Sequence, residues 1–118
     1  MFDKVLKHLL DRVDGAGCAL LASRDGMVVA SAVRPKGASP ELVAAGMADL
    51  FGKTVGALRE AELGGALELT VGSEDAQVAM RQVVPGYLLA LALAPGGSLG
   101  RARYELRLAA SVLEPELA

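Results

Sequence analysis

Few side chains in this sequence could carry out covalent or acid–base chemistry. It contains one histidine, His8, and one cysteine, Cys18. Side-chain catalysis requires an acid, a base or a nucleophile placed beside its partners. His8 lies on the polar side of a predicted helix and is expected to be solvated, whereas Cys18 opens an apolar segment and is expected to be a small core residue. A Cys–His dyad is the minor alternative, and we predict no enzymatic activity.

Two glycine-containing segments resemble ligand-binding loops only in part. Residues 96–100 precede a predicted helix but lack the Gly-Lys-Ser/Thr ending of a phosphate-binding loop. Residues 11–15 lack the alternating ligands and the final glutamate of a calcium loop. A single cysteine excludes an internal disulfide bond and a cysteine-based zinc site. We therefore predict neither a cofactor nor a bound metal.

Composition and charge restrict the class of protein further. A length of 118 residues corresponds to one domain, residues 1–118, and a content of 53% hydrophobic and 22% charged residues predicts a globular chain. The net charge is −2 and the basic residues are not clustered, which argues against binding to nucleic acid. The longest apolar run, residues 87–95, is too short for membrane insertion. Because its start has no signal-peptide pattern, the chain is expected to be cytoplasmic.

Hydrophobic periodicity predicts the element order α-β-β-α-β-β-β-α. The sequence Asp25-Gly26 between two apolar runs indicates a hairpin, and Ser39 followed by Pro40 indicates a helix start. The fold class is α/β, of the α+β type, with a five-stranded, mainly antiparallel sheet. Residues 87–93 are apolar on both sides of their strand, which requires helices on both faces of the sheet. We expect one helix on one face and the two terminal helices on the other. The predicted helices span residues 2–13, 40–63 and 99–113, and the predicted strands span 18–22, 27–33, 66–71, 77–84 and 87–93.

The middle helix carries the clearest indication of a partner. Besides the apolar face that should pack on the sheet, it has a second stripe of small residues. Two of these are glycines, which each cost about 1 kcal/mol relative to alanine inside a helix. Small residues allow another backbone to approach closely, so we predict a dimer or partner interface; the alternative is that the glycines are tolerated on a solvated helix or fit under a neighbouring loop. The predicted interface residues are Ala45, Ala48, Asp49, Gly52, Lys53, Gly56 and Arg59.

The strand that follows the middle helix is predicted to lie at an edge of the sheet. It contains one charge, Glu68, and no proline, and such an edge invites pairing with another chain. Alternatively, Glu68 and the short length of the strand protect the edge. The residues assigned to this second part of the interface are Leu67, Glu68, Leu69, Thr70 and Val71.

The last predicted helix has two apolar stripes. One begins at Leu99 and faces the sheet in our interpretation. The second consists of Tyr104, Leu108 and Val112, spaced at i, i+4 and i+8. We expect both stripes to be covered, one by the core and the other by the first helix.

The element order and several local patterns resemble the Roadblock/dynein light chain family. Each pattern is weak by itself, but their order and spacing follow the family over about residues 2–113. The segments that carry the resemblance are Leu20 to Ala30 in the hairpin, Glu41 to Gly46 in the middle helix, Leu67 to Gly72 and Pro85 to Leu91 in later strands, and Gly100 to Arg107 in the last helix.

This resemblance implies a protein that dimerises through the middle helix and the edge strand and binds a small Ras-like GTPase. Within the family, the chain resembles the bacterial MglB-like regulators, which stimulate GTP hydrolysis by repositioning residues of the GTPase itself. Arg59 could be proposed as an arginine finger, but a solvated, salt-bridging arginine is the preferred interpretation. The sequence leaves open a homodimer or a heterodimer, and a regulator of hydrolysis or a scaffold that only docks. The alternative function is a small-ligand sensor or a general protein-interaction module of profilin-like layout.

Overall fold

The computed structural model describes all residues from 1 to 118 and confirms the predicted order of helices and strands. Most boundaries agree with the sequence-based ones to within two residues, and the exceptions are at the ends of the second and third helices. The elements are α1 (Phe2–Arg12), β1 (Ala16–Ser23), β2 (Val28–Val33), α2 (Pro40–Glu60), β3 (Glu68–Gly72), β4 (Gln77–Val84), β5 (Tyr87–Leu93) and α3 (Leu99–Leu117).

The five strands form one antiparallel sheet in the order β2-β1-β5-β4-β3. The two central strands are apolar on both sides, and nearly all their residues are buried. Leu20 of β1 pairs with Ala90 of β5, and both face α2, whereas the adjacent pair Ala19 and Leu91 faces the terminal helices. The alternation of the pleat therefore divides the core into two layers.

Helices cover the two faces of the sheet unequally. Helices α1 and α3 pack side by side on one face, where α1 contacts β1 and β2 and α3 contacts β4 and β5. Helix α2 lies alone on the other face and packs across β2, β1 and β5. This confirms the predicted arrangement of one helix against two, and it leaves part of the α2 face less closely covered.

Helix α2 ends at Glu60, three residues before the predicted end at Leu63. The Glu62 N–H donates to Arg59 O at 3.0 Å and the Leu63 N–H donates to Leu58 O at 2.9 Å. These are the two bonds of a Schellman motif, in which the residue after the cap is left-handed. Here that residue is Glu62, with φ of +61°. The sequence prediction missed this end because the position is usually occupied by glycine.

Helix α3 also differs from its prediction. It continues to Leu117 and includes Pro115 in its last turn, and the Ser98 hydroxyl makes no capping bond, whereas Ser39 accepts one from the Leu42 N–H of α2. The prediction that the second apolar stripe of α3 is covered is wrong. Its three side chains are 52%, 48% and 51% exposed, because α1 contacts α3 along only one flank; they are Tyr104, Leu108 and Val112.

Candidate interface on the middle helix and edge strand

The outward surface of α2 carries most of the residues predicted from the sequence. Ala45, Gly52 and Gly56 are exposed. The exposed pair Asp49 and Lys53 forms a salt bridge of 3.0 Å one turn apart. Surface pairs of this kind contribute little to stability, so this face does little for the fold of the single chain.

The glycines of α2 have no packing role within the chain. A Cβ atom built on Gly52 or Gly56 would meet no heavy atom within 4 Å. The alternative that they fit under a neighbouring loop is therefore excluded. The cost of a glycine in the helix interior remains, and nothing within the chain offsets it.

Ala48 and Arg59 lie at the border between the outward stripe and the sheet, on the flank of α2 that also carries Gly52. Ala48 is only 8% exposed, so it belongs to the buried side and not to the outward stripe. Three residues of helix separate the directions of Ala45 and Ala48 by about 60°, which turns Ala48 toward the sheet. Arg59 is exposed but forms no salt bridge, contrary to expectation, and its guanidinium would lie 3.5 Å from a Cβ at Gly65.

A cavity of about 120 Å³ separates this flank of α2 from the β4–β5 turn. Small and apolar residues of α2, among them Gly52 and Val55, form one wall, and Gln82 and Tyr87 contribute to the opposite side. Beyond it, α2 packs less closely on its face of β3 and β4 than on β2, β1 and β5. Met80 is buried on that face, but three other apolar residues are only half-buried; they are Leu69, Val71 and Val78.

Strand β3 is an edge strand, as predicted. It pairs with β4 along one side, with Glu68 opposite Arg81 and Val71 opposite Val78, and its other side has no partner. Leu67 lies just before the strand and is 63% exposed. Thr70 is exposed as well. The chain therefore presents a free backbone edge next to the incompletely covered part of the α2 face.

Glu68 points away from the α2 face, toward α3. Arg103 donates to its Oε1, and Arg81 Nη1 donates to its Oε2 at 3.0 Å, with Arg107 Nε 3.7 Å from Oε2. The hydrogen bond from Arg103 lowers the pKa of Glu68, helped by the hydrogen bond from Arg81 and by attraction to Arg103 and Arg107, although burial opposes the change. The carboxylate is thus held among arginines on the α3 side.

His8 and Cys18, the two residues first considered for chemistry, do not form a catalytic pair. His8 is exposed on α1, and Cys18 is fully buried in β1, as predicted. Burial raises the pKa of the Cys18 thiol to about 11, with a smaller contribution from Glu41, so it is a poor nucleophile at neutral pH. No three His, Cys, Asp or Glu side chains come together as metal ligands.

None of the helices is both long and apolar enough to cross a membrane.

Comparison with known proteins identifies the family. Residues 2–93 match the model of the Roadblock/LC7 domain. The chain belongs to the Roadblock/LC7 family. The resemblance noted from the hairpin, the middle helix and the later strands is therefore confirmed. The matched region includes both α2 and β3, so the candidate interface lies within the Roadblock/LC7 domain itself.

Solved structures share this Roadblock/LC7 fold over nearly the whole chain. A Roadblock/LC7 domain from Streptomyces avermitilis has a TM-score of 0.87 at 22% identity, covering 98% of this chain and 96% of that one. The gliding protein MglB from Thermus thermophilus has a TM-score of 0.86 at 23% identity, covering 98% and 88%. MglC from Myxococcus xanthus has a TM-score of 0.73 at 26% identity, covering 96% of both chains. No curated protein sequence matches the chain.

Proposed function

We propose that this protein is a non-catalytic dimeric regulator or scaffold that binds a small Ras-like GTPase. The observation that carries the dimer is the incomplete cover of the α2 face at β3 and β4. Two helices cover one face of the sheet and one helix covers the other, so Leu69, Val71 and Val78 are only partly buried. A stable domain buries such residues against a second layer, and a second copy of α2 is the element of matching size.

A two-fold arrangement of two chains would satisfy both features of the interface at once. Antiparallel pairing of β3 with its copy would extend the sheet across the axis. The α2 helix of the second chain would then lie over the half-buried side chains of β3 and β4. Gly52 and Gly56 would allow the two helices to approach closely, because neither carries a Cβ.

The GTPase partner is supported by the family. The similarity to MglB over nearly the whole chain supports a regulator of that type. Regulators that reposition residues of the GTPase need no catalytic side chain of their own, which agrees with the burial and raised pKa of the one cysteine, Cys18. The free Arg59 is not required in this scheme.

The alternative of a small-ligand sensor has little support in the cavity beside α2. Its volume of about 120 Å³ is below the roughly 300–1,000 Å³ of ordinary ligand pockets. It also lies where the second chain would pack. A wider cavity of about 730 Å³ lies between the end of α1 and the β2–α2 loop, so cavity volume does not decide between the two functions. The free edge of β3 and the glycines of α2 place the protein-interaction function first.

Small Ras-like GTPases of the same host provide the direct test. Each would be loaded with GDP or a non-hydrolysable GTP analogue and passed over the immobilised protein. We expect one to bind with a preference for one nucleotide state, and hydrolysis assays would then separate a regulator from a scaffold. If Gly52→Leu abolishes GTPase binding but leaves the dimer intact, α2 faces the GTPase and not the second copy. Absence of binding by every GTPase in both states would contradict the proposed partner.

A further inference from the structure

A cleft between α1 and α3 lies on the face of the sheet opposite to α2. Its volume is about 260 Å³. Leu108 and Val112 form its apolar wall on α3, and Tyr104 continues their row by one turn. About half of each of these three side chains is exposed, which is unusual for large apolar residues adjacent in a row. The residues that line the α1–α3 cleft are Lys4, Val5, His8, Glu105, Leu108, Ala109 and Val112.

A buried carboxylate forms part of the cleft. Glu105 is 3% exposed and is the one acid among the lining residues. Its Oε2 lies 3.0 Å from Arg101 Nη2 and 3.8 Å from Arg12 Nε, and no hydrogen bond reaches that oxygen. Arg101 also lies over the Tyr104 ring, 5.7 Å from its centre. Because a buried charge needs a partner, Glu105 holds both arginines at the border of the cleft.

The charge around the cleft is positive. Lys4, His8 and Arg12 follow one another at spacings of four residues, which places them along one flank of α1, beside α3. The acid Asp11 points elsewhere, since it pairs with Arg34 at the end of β2. Glu105 neutralises only one of the two arginines that it contacts. Lys4 and one arginine therefore remain unbalanced beside the apolar row, and Glu116 follows Val112 by one turn at its far end.

We propose that the α1–α3 cleft binds an acidic amphipathic helix of another protein. Such a helix would place apolar side chains at i, i+4 and i+7 against Tyr104, Leu108 and Val112. Its flanking carboxylates would meet Lys4 and the arginines held by Glu105, so that attraction adds to apolar burial.

The chemistry of the cleft disfavours two other occupants. A second copy would bring this basic surface against itself, because a two-fold contact uses the same patch on both chains, and like charges would meet. An anionic membrane would suit the basic residues, but membrane-binding surfaces present apolar side chains that can enter the lipid. Here the apolar row borders a concave cleft that contains a buried acid.

Two synthetic helical peptides test the proposal. They share one leucine face and differ only in their flanking positions, which are all Glu in one and all Lys in the other. Fluorescence anisotropy would give their affinities for the wild-type protein, for Leu108→Glu and for the control Leu42→Glu. Leu42 is an exposed leucine on α2, 78% accessible, so the control makes the same exchange on the opposite face.

We expect the wild-type protein to bind the Glu peptide at least about tenfold more tightly than the Lys peptide. The Leu108→Glu variant should bind the Glu peptide at least about tenfold more weakly than the wild type does, and the Leu42→Glu variant should bind it equally well. Equal affinities of the two peptides, or no saturable binding, would overturn the proposal. If neither peptide binds, but the protein binds vesicles of phosphatidylcholine and phosphatidylserine and Leu108→Glu abolishes that binding, the partner is a membrane instead. A lower mass in solution for Leu108→Glu would identify a second copy instead.

Discussion

Replacement of Gly52 by leucine should have opposite effects on the single chain and on the dimer. In the single chain, a Cβ at this position meets open space, and the position is exposed. Leucine favours the helix over glycine by about 0.5–1 kcal/mol. The unfolding free energy of the isolated chain should therefore rise by about that amount.

In the dimer, the same side chain would occupy the space between the two α2 helices. Overpacking of a fitted contact costs about 1–3 kcal/mol, and two copies of the leucine meet across a two-fold axis. A loss of about 1.4 kcal/mol corresponds to a tenfold increase in the dissociation constant. We therefore expect at least about a tenfold weaker dimer.

Gly46 provides a matched control on the same helix. It is exposed, and a Cβ there also meets no atom within 4 Å. Six residues of helix place it about 120° away from Gly52 and about 20° from Lys53, at the border of the predicted interface and away from the glycine contact. Gly46→Leu should give the same gain in helix stability and weaken the dimer less than Gly52→Leu does.

Light scattering and sedimentation over a range of concentrations would measure the dimer of the wild type and both variants. Urea unfolding at protein concentrations below the dissociation constant of the dimer would measure the stability of the single chain. A wild-type protein that stays monomeric at micromolar concentration would refute the homodimer. Equal weakening of the dimer by Gly46→Leu and Gly52→Leu would refute the assignment of this flank of α2 to the interface.

Two further predictions concern the stability of the single chain. Glu62→Gly should raise the unfolding free energy by about 0.5–1 kcal/mol, because glycine adopts the left-handed conformation of this position without a Cβ penalty. The control Glu60→Gly, inside the helix, should lower the unfolding free energy. If urea unfolding shows that both variants are less stable than the wild type, the reasoning is contradicted. The pKa of Glu68 is lowered in the folded chain, mainly by the hydrogen bond from Arg103. Its ionised form therefore stabilises the fold at pH values above the unfolded pKa of about 4.3. This contribution is lost as the pH falls through the folded pKa. The deficit of Glu68→Gln should therefore be full at neutral pH and shrink below about pH 4, and a deficit independent of pH would contradict this.

The layer arrangement was predictable because it depends on periodicity and burial. The strand β5 is apolar at every position, which requires helices on both faces, and a sheet joined mostly by short turns must be antiparallel. The outward position of Gly52 and Gly56 was predictable for the same reason, since helix rotation places them opposite the apolar face.

Features that depend on tertiary distance could not be predicted. Tyr104, Leu108 and Val112 form a regular stripe, and periodicity does not tell whether a neighbouring helix lies close enough to cover it. Glu105 lies four residues after Arg101, which the sequence alone would assign to a solvated surface pair. The packing of α1 buries it instead, and Arg12 comes from a distant part of the chain.

The two proposed surfaces are compatible in one assembly. Antiparallel pairing of β3 with its copy has its two-fold axis perpendicular to the sheet, so both chains keep α2 on one side and α1 and α3 on the other. A dimer would then present its paired α2 helices on one face and two basic clefts on the opposite face. Two equal clefts on one surface favour a partner with two acidic helices over a partner with one, because the second contact becomes intramolecular. A protein without reactive groups could in this way hold two different partners on opposite sides of a single sheet.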